Sequence, residues 1–439
     1  MAKRRLGLRL LMGVCALGTW VSAQATQPMP ANDLHKVRGM LREGYETVKK
    51  SYYDPTFHGV DLDARFKEYD EKLKGASSMN AGLSLVAAFV DGLKDSHTVF
   101  QPPAHSYEVD YGYRLNIVGD DVFVSRVKPG TDAEKKVKPG DQLMSLNGGG
   151  VGRESFHRMQ YLFNVLQPVQ QTRLVLRDPA GIERTVQVET KITPGRVVRN
   201  LSGAGAGIEL QDLQQQQEAA DHLMRQRHVE QDGVMIWKMP AFVMEKGEVD
   251  RMFDIARKQR ALILDLRGNP GGIVEILKRV VGNAFDHDVQ IGVRAGRKGK
   301  EPMIAKTKGA GAFTGQLIVL VDSGSASCAE LLARVLQLEK RGTVIGDRSA
   351  GAVMEALMYP FVQGDPVLIF YGFLVTDADI LMKDGRSLES AGVIPDELLL
   401  PSGQDMALGR DPVMARAAKL AGLDLDAVAA GKLFPFEWK

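Results

Sequence analysis

The chain has 439 residues, 44% of them hydrophobic and 25% charged, a globular composition long enough for two or three domains. Its formal charge is +2, and Lys3, Arg4, Arg5 and Arg9 alone supply four positive charges, so the rest of the chain carries 2 − 4 = −2. That balance offers no basic surface for nucleic acid, and no nucleic-acid partner is expected.

Residues 1–25 have a basic start, an apolar stretch from Leu10 to Val21 and small residues in Ser22-Ala23-Gln24-Ala25. This is the form of a secretory signal cut after Ala23 or Ala25, which makes the mature protein exported, periplasmic or secreted. Membrane attachment is expected only if the segment stays uncleaved, because its apolar stretch is short for a bilayer. Cleavage removes Cys15 and leaves Cys328 as a lone thiol without a disulfide partner.

Residues 26–101 are expected to form a helical domain. Val37, Met40, Leu41, Tyr45 and Val48 recur at helical steps, as do Leu83, Val86, Ala87, Val90 and Leu93. Pro102-Pro103 closes this region, and residues 104–192 read as short strands separated by turns. The series Val127-Lys128-Pro129-Gly130, Val137-Lys138-Pro139-Gly140-Asp141-Gln142-Leu143 and Asn147-Gly148 resembles a PDZ domain. That resemblance implies capture of a peptide C-terminus by a loop near Tyr111, Gly112, Tyr113, Arg114 and Leu115. Tyr111-Gly112-Tyr113 departs from the usual apolar-Gly-apolar loop. Residues 194–231 contain Gly203-Ala204-Gly205-Ala206-Gly207 and a run of four glutamines, a linker composition.

From Gly233 onward, strands at Val234–Lys238, Ala261–Leu266, Leu317–Val321 and Thr343–Gly346 alternate with helices at Glu248–Lys258, Ile273–Phe285 and Ala329–Leu338. Such alternation predicts an α/β core with a largely parallel sheet over residues 193–404, followed by a helical segment, 405–439. Four segments in this core stand out. They are Leu262-Ile263-Leu264-Asp265-Leu266-Arg267-Gly268-Asn269-Pro270-Gly271-Gly272, then Ser323-Gly324-Ser325-Ala326-Ser327-Cys328-Ala329-Glu330, then Gly346-Asp347-Arg348-Ser349-Ala350-Gly351, and last Leu388-Glu389-Ser390-Ala391-Gly392-Val393-Ile394-Pro395-Asp396. In this order they resemble the serine peptidases that include the C-terminal-processing (tail-specific) and tricorn proteases. The resemblance implies an α+β and α/β multidomain fold whose core is a crotonase-like ββα spiral.

It also implies a site. The register set by Glu330 makes Ser327 the nucleophile, in preference to Ser323 and Ser325. The C-terminal-processing branch places a lysine base directly after the glycine of the third segment, but Ala352 follows Gly351 here. The tricorn-like branch uses histidine, and Leu93-Lys94-Asp95-Ser96-His97-Thr98 matches its motif. His97 is then the general base, with Glu389 orienting Ser96 and, through it, His97. Only Lys340 or Lys383, arriving from elsewhere, would restore a lysine base. Backbone N–H groups of Gly271 or Gly272 and of Cys328 are expected to form the oxyanion hole. The other histidines lack metal-ligand spacing, so no metal or other cofactor is expected. The implied activity is an exported serine endopeptidase acting on protein or peptide substrates through an acyl-enzyme; the pattern sets no oligomeric state. The competing reading is a catalytically silent peptide- or lipid-binding protein on the same fold.

Overall fold

The computed structural model describes residues 28–104, 107–194, 225–364 and 368–438. The expected signal segment and the glycine- and glutamine-rich stretch lie outside the described residues.

The core sheet has six strands in the order Arg227–Gln231, Val234–Lys238, Ala261–Asp265, Gln316–Val321, Thr343–Gly346 and Glu397–Leu398. The first pair is antiparallel and the rest run parallel. Near-continuous apolar strands of this kind fill both faces of a parallel sheet. Met235, Trp237, Leu262, Leu264, Leu317 and Val319 lie under the helices Lys246–Ala256, Val274–Ala284 and Cys328–Leu338. Val234, Ile236, Ile263, Ile318 and Leu320 lie against Val413, Met414 and Ala417 of the helix Pro412–Leu420. Because the strands ending at Asp265, Val321 and Gly346 are parallel neighbours, the three turns that follow them emerge on one edge. Ligands in open α/β sheets bind at that carboxyl edge.

A second sheet covers this core. Its long strand, Ile369–Met382, pairs with Val99–Gln101, Glu355–Gln363 and Val289–Gly296. Sequence reading did not anticipate these strands, since Pro360, Gly372 and the Thr376-Asp377-Ala378-Asp379 run interrupt simple alternation. The helices Ala31–Ser51, Leu62–Lys74 and Met79–Asp91 pack on this sheet: Val37, Met40, Leu41, Val86 and Phe89 share one core with Phe100, Tyr371, Phe373 and Val375. Gly44 is required there, because a Cβ would sit 2.6 Å from the Phe373 ring. The segment after the third helix is pinned to the same strand, with Thr98 Oγ1 donating to Thr376 Oγ1 at 3.1 Å.

The middle region is a sheet of Tyr113–Val118, Asp121–Val127, Gln142–Leu146, Gln171–Arg177 and Glu183–Glu189, with its own core of Ile117, Val122, Val124, Leu143, Phe156, Leu174 and Leu176. It joins the carboxyl edge of the core sheet directly. Ser323 Oγ donates to Ile117 O at 2.7 Å, and Asp347 accepts from Gly119 N at 2.9 Å and from Arg153 at 2.7 Å.

One buried ionic cluster ties the core together. Asp265 accepts from Arg267 at 2.9 and 3.0 Å and lies 3.3 Å from Lys238, while Arg267 also binds Asp411, the N-cap of the helix Pro412–Leu420. Burial alone would push the Asp265 carboxyl up, but the Arg267 and Lys238 charges outweigh it and hold it well below the usual carboxylate range. Asp265→Asn leaves two cations facing an amide, and should destabilise the protein by about 3–5 kcal/mol. The check is a lower denaturant midpoint near neutral pH. Because the folded carboxyl is depressed, the native protein's advantage should persist down to about pH 4 and shrink only below it.

Candidate active site

Ser327 stands at the start of the helix Cys328–Leu338 with φ 52° and ψ −120°. A non-glycine residue in that conformation is strained and persists only when its surroundings hold it. The Glu330 N–H donates to the Ser327 carbonyl oxygen at 2.9 Å, so the Ser327 hydroxyl is not capping the helix. The neighbouring serines are differently placed: Ser323 Oγ is bonded to Ile117 O and Ser325 Oγ to Leu266 O.

What holds Ser327 is a carboxylate that sequence reading used only as a register mark. Glu330 is fully buried. It accepts from Ser349 Oγ at 2.6 Å, Gly351 N at 2.7 Å, Ala352 N at 2.9 Å and Ser327 N at 3.0 Å. Burial pushes its carboxyl above the usual range, against the pull of those bonds. Ser327 N also donates to Ala352 O at 2.8 Å, and Ala326 N to Asn269 O at 2.9 Å. Ser349 Oγ accepts from Val393 N at 2.6 Å, and Ser390 N donates to Gly351 O at 2.8 Å. The four segments singled out in the sequence are thus bonded to one another around Ser327.

The histidine enters from the other sheet. Asp95 Oδ1 accepts from His97 N at 2.9 Å, Thr98 N at 2.6 Å and Thr376 Oγ1 at 2.8 Å, which closes the turn that presents the ring. His97 Nδ1 lies 2.6 Å from Ser96 Oγ. Ser96 Oγ donates to Glu389 Oε2 at 3.0 Å, and Ser96 N to Glu389 Oε1 at 2.7 Å. With the hydroxyl proton directed to the carboxylate, Ser96 Oγ accepts from Nδ1–H, which leaves Nε2 as the basic nitrogen. Burial lowers the His97 pKa, opposed by the nearby Asp95 charge. Burial raises the Glu389 carboxyl, opposed by its bonds to Val353 N and Ser96. Val353 N donates to Glu389 Oε2 at 3.0 Å, one residue beyond the Ala352 carbonyl that holds Ser327. Ser327 and His97 are therefore linked through Ala352-Val353 and Glu389. No hydrogen bond joins Ser327 Oγ to His97 among the described residues.

The lysine alternatives are remote. Lys340 follows the helix that Ser327 begins, roughly 20 Å away at about 1.5 Å per residue. Lys383 pairs with Glu339 at that same far end.

The two glycines differ. Gly271 N donates to Asn269 Oδ1 at 2.8 Å, while Gly272 N and Cys328 N have no hydrogen-bond acceptor among the described residues. A Cβ on Gly271 would lie 2.5 Å from Ser327 Cβ, so only glycine fits beside the nucleophile. The Cys328 side chain is buried, bonds Gly272 O at 3.4 Å, and burial pushes its thiol up to about 12.

The loop expected to hold a peptide terminus is internally occupied. Gly112 N donates to Asp110 Oδ1 at 2.9 Å, Gly112 O accepts from Lys128 N, Tyr111 OH donates to Phe163 O, and Tyr113 OH to Thr172 Oγ1. Leu115 pairs with Val124 in the sheet, and Arg114 lies exposed. The Gly112 amide of this loop is thus already engaged by the Asp110 carboxylate.

Residues 234–399 match the family model for peptidase family S41, and residues 35–81 that for the tricorn protease C1 domain. The carboxyl-terminal-processing peptidase 3, chloroplastic, of Arabidopsis thaliana is 21% identical over 385 residues, which cover 83% of this chain and 69% of that protein. The probable CtpA-like serine protease of Staphylococcus haemolyticus is 21% identical over 440 residues, covering 94% and 78%. The crystal structure of mature CPAF superposes with a TM-score of 0.65 at 16% identity, over 86% of this chain and 95% of that one, a likeness of fold.

Glu330→Gln should lower both stability and turnover, because an amide turns an N–H donor toward groups that are themselves donors. We expect a clear fall in melting temperature and at least a tenfold fall in kcat with KM little changed. Unaltered kcat would mean that Ser327 keeps its conformation without the carboxylate.

Proposed function

We propose, from the premise that the chain is a serine-type peptidase related to the carboxyl-terminal-processing proteases, that it is an exported endopeptidase cleaving peptide bonds of protein substrates with Ser327 as nucleophile and His97 as general base. The observation that carries this reading is the Ser96 hydroxyl, bonded on one side to His97 Nδ1 and on the other to Glu389. That relay fixes one tautomer of the ring and leaves Nε2 to accept the Ser327 proton as Oγ attacks the scissile carbonyl. The tetrahedral oxyanion would be met by the N–H groups of Gly272 and Cys328, Gly271 being engaged by Asn269. The imidazolium then gives its proton to the leaving amine, and water repeats the sequence on the acyl-enzyme. Proton transfer requires the ring to close on Ser327 Oγ when substrate binds, as catalytic hydrogen bonds often tighten only in the complex.

The finer assignments belong to this proposal: a crotonase-like core, a PDZ-like middle domain that receives peptide, and export by residues 1–25. The absence of lysine after Gly351, together with the remoteness of Lys340 and Lys383, supports the histidine branch.

Ser327→Ala should retain the fold and lose peptide hydrolysis by several orders of magnitude, while Cys328→Ala, which keeps the backbone N–H, should retain most of it. Near-normal turnover by purified Ser327→Ala sinks the assignment. The pH profile gives a separate check. A base must be neutral, and burial depresses His97, so the acidic limb of kcat/KM should lie below the ordinary imidazole value of about 6.5. The limb belongs to the linked His97, Ser96 and Glu389 rather than to one ring. A limb above neutrality that survives in His97→Ala would instead point to a lysine.

A further inference from the structure

We infer that the face of the Tyr113–Val118 and Asp121–Val127 hairpin around Arg114 and Arg126 is a docking surface for aromatic peptide segments, and that the chain's own C-terminal residues Phe436 and Trp438 are its resident occupant. The inference rests on the reading of the middle domain as a peptide-binding module, and it names a place on that module which the Tyr111–Tyr113 loop does not supply.

Arg114 and Arg126 are directly opposite each other in the antiparallel register. Like charges in that position repel, and a sheet tolerates them when something lies over them. Both side chains are exposed, and neither has a carboxylate partner among the described residues. The covering group is aromatic. The Arg114 guanidinium lies 4.9 Å from the centre of the Phe436 ring and 5.8 Å from that of Trp438. Arg126 lies 4.8 Å from Phe436, and Lys128 lies 5.9 Å from Trp438. The two rings meet edge to face at 5.2 Å, so they form one platform over the cations. A cation over a ring face is attracted by the ring quadrupole, and a planar guanidinium also stacks.

The segment is delivered to this place. Leu433 and Phe434 pack against the core behind the sheet, Arg227 stacks on Phe434 at 5.6 Å, and Arg227 donates to Pro435 O at 3.0 Å. From that anchor Phe436-Glu437-Trp438 reaches the middle domain. Its residues are half-buried or exposed, in contrast to the fully buried side chains of the domain cores. The contact is thus shallow enough to exchange. Tyr113–Val118 is also the terminal strand of its sheet, and it is tied to the core at Ile117 O by Ser323, so the exchangeable contact is the one over Arg114 and Arg126. The partner that fits is an extended segment with aromatic residues, and the chain's own tail must leave before it binds.

The test compares the full chain with a variant ending at Pro435, both carrying Ser327→Ala so that the probe survives. The probe is a fluorescein-labelled synthetic peptide with the sequence of residues 432–439, and binding is read by anisotropy. The shortened protein should bind at least tenfold more tightly than the full chain, and adding Arg114→Ala and Arg126→Ala should remove that gain. Equal binding by the two lengths, or binding untouched by the double substitution, overturns the inference. Trp438 emission gives an independent reading in a full-length Trp20→Phe background, since Trp237, the other remaining tryptophan, is fully buried and constant. Arg114→Ala with Arg126→Ala should shift that emission to the red; an unchanged spectrum counts against docking. Both readouts measure binding alone, so they stand or fall separately from the assignment of Ser327 and His97.

Discussion

The site depends on one buried carboxylate. Glu330 sits on the first turn of a helix, where a negative charge is favoured by the free N–H groups and the helix dipole. It gathers donors from the residue just before the helix and from a loop some twenty residues later in the chain. Each bond alone is modest, but together they exclude alternative conformations of the Ser327 turn. Without them, relaxation of the positive φ at Ser327 would be opposed only by the weaker hold of the Ala352 and Asn269 carbonyls among the described residues. The carboxylate also fixes Ala352-Val353, and Val353 in turn places Glu389. The helix-borne glutamate therefore sets the geometry of the nucleophile and of the relay behind the histidine at once.

Much of this was legible in the sequence because parallel strands announce themselves. Ala261–Asp265 and Gln316–Val321 are continuous apolar runs ended by glycine or small polar residues, and a parallel sheet sends such endings to a common edge. Ser96, His97 and Glu389 could be named, but their mutual bonds could not, since 293 residues separate Ser96 from Glu389. Glu330 was visible only as a spacing mark, because three of its four partners are backbone N–H groups, which carry no sequence signature, and the fourth is the hydroxyl of Ser349, nineteen residues away. The same reason hid the difference between Gly271 and Gly272. Composition alone does not reveal that Asn269 already binds one of them. The strands Glu355–Gln363 and Ile369–Met382 were missed because proline, glycine and paired aspartates break their alternation, and the burial of Tyr371, Phe373 and Val375 comes from tertiary contact with the N-terminal helices.

The middle region offers a different lesson. Its turn series resembles a peptide-binding domain, yet the residue types alone could not say whether the loop amides were open. Asp110, two residues before Gly112, folds back onto that amide and is itself held by Lys128. An internal carboxylate in the place of an incoming one removes both the donor and the favourable field. The two arginines that stand opposite each other lie on the neighbouring strands, away from that engaged amide.

The separation between Ser327 and His97 follows from how the parts are carried. Ser327 belongs to the core sheet, whereas His97 is held by Asp95 against Thr376 of the second sheet. Among the described residues the two are linked through Glu389, the Ala352-Val353 backbone and the bond from Ser390 N to Gly351 O. A site assembled across two sheets can align its base without bonding it to the nucleophile, because the relay restrains the ring while leaving its reactive nitrogen unengaged. The middle region is bonded to the same edge through Ser323 and Asp347. Ser323 lies four residues before the nucleophile, and Asp347 lies two residues before Ser349, a ligand of Glu330. The middle region is thereby held to the chain beside both supports of Ser327, which restrains the turn from a third direction.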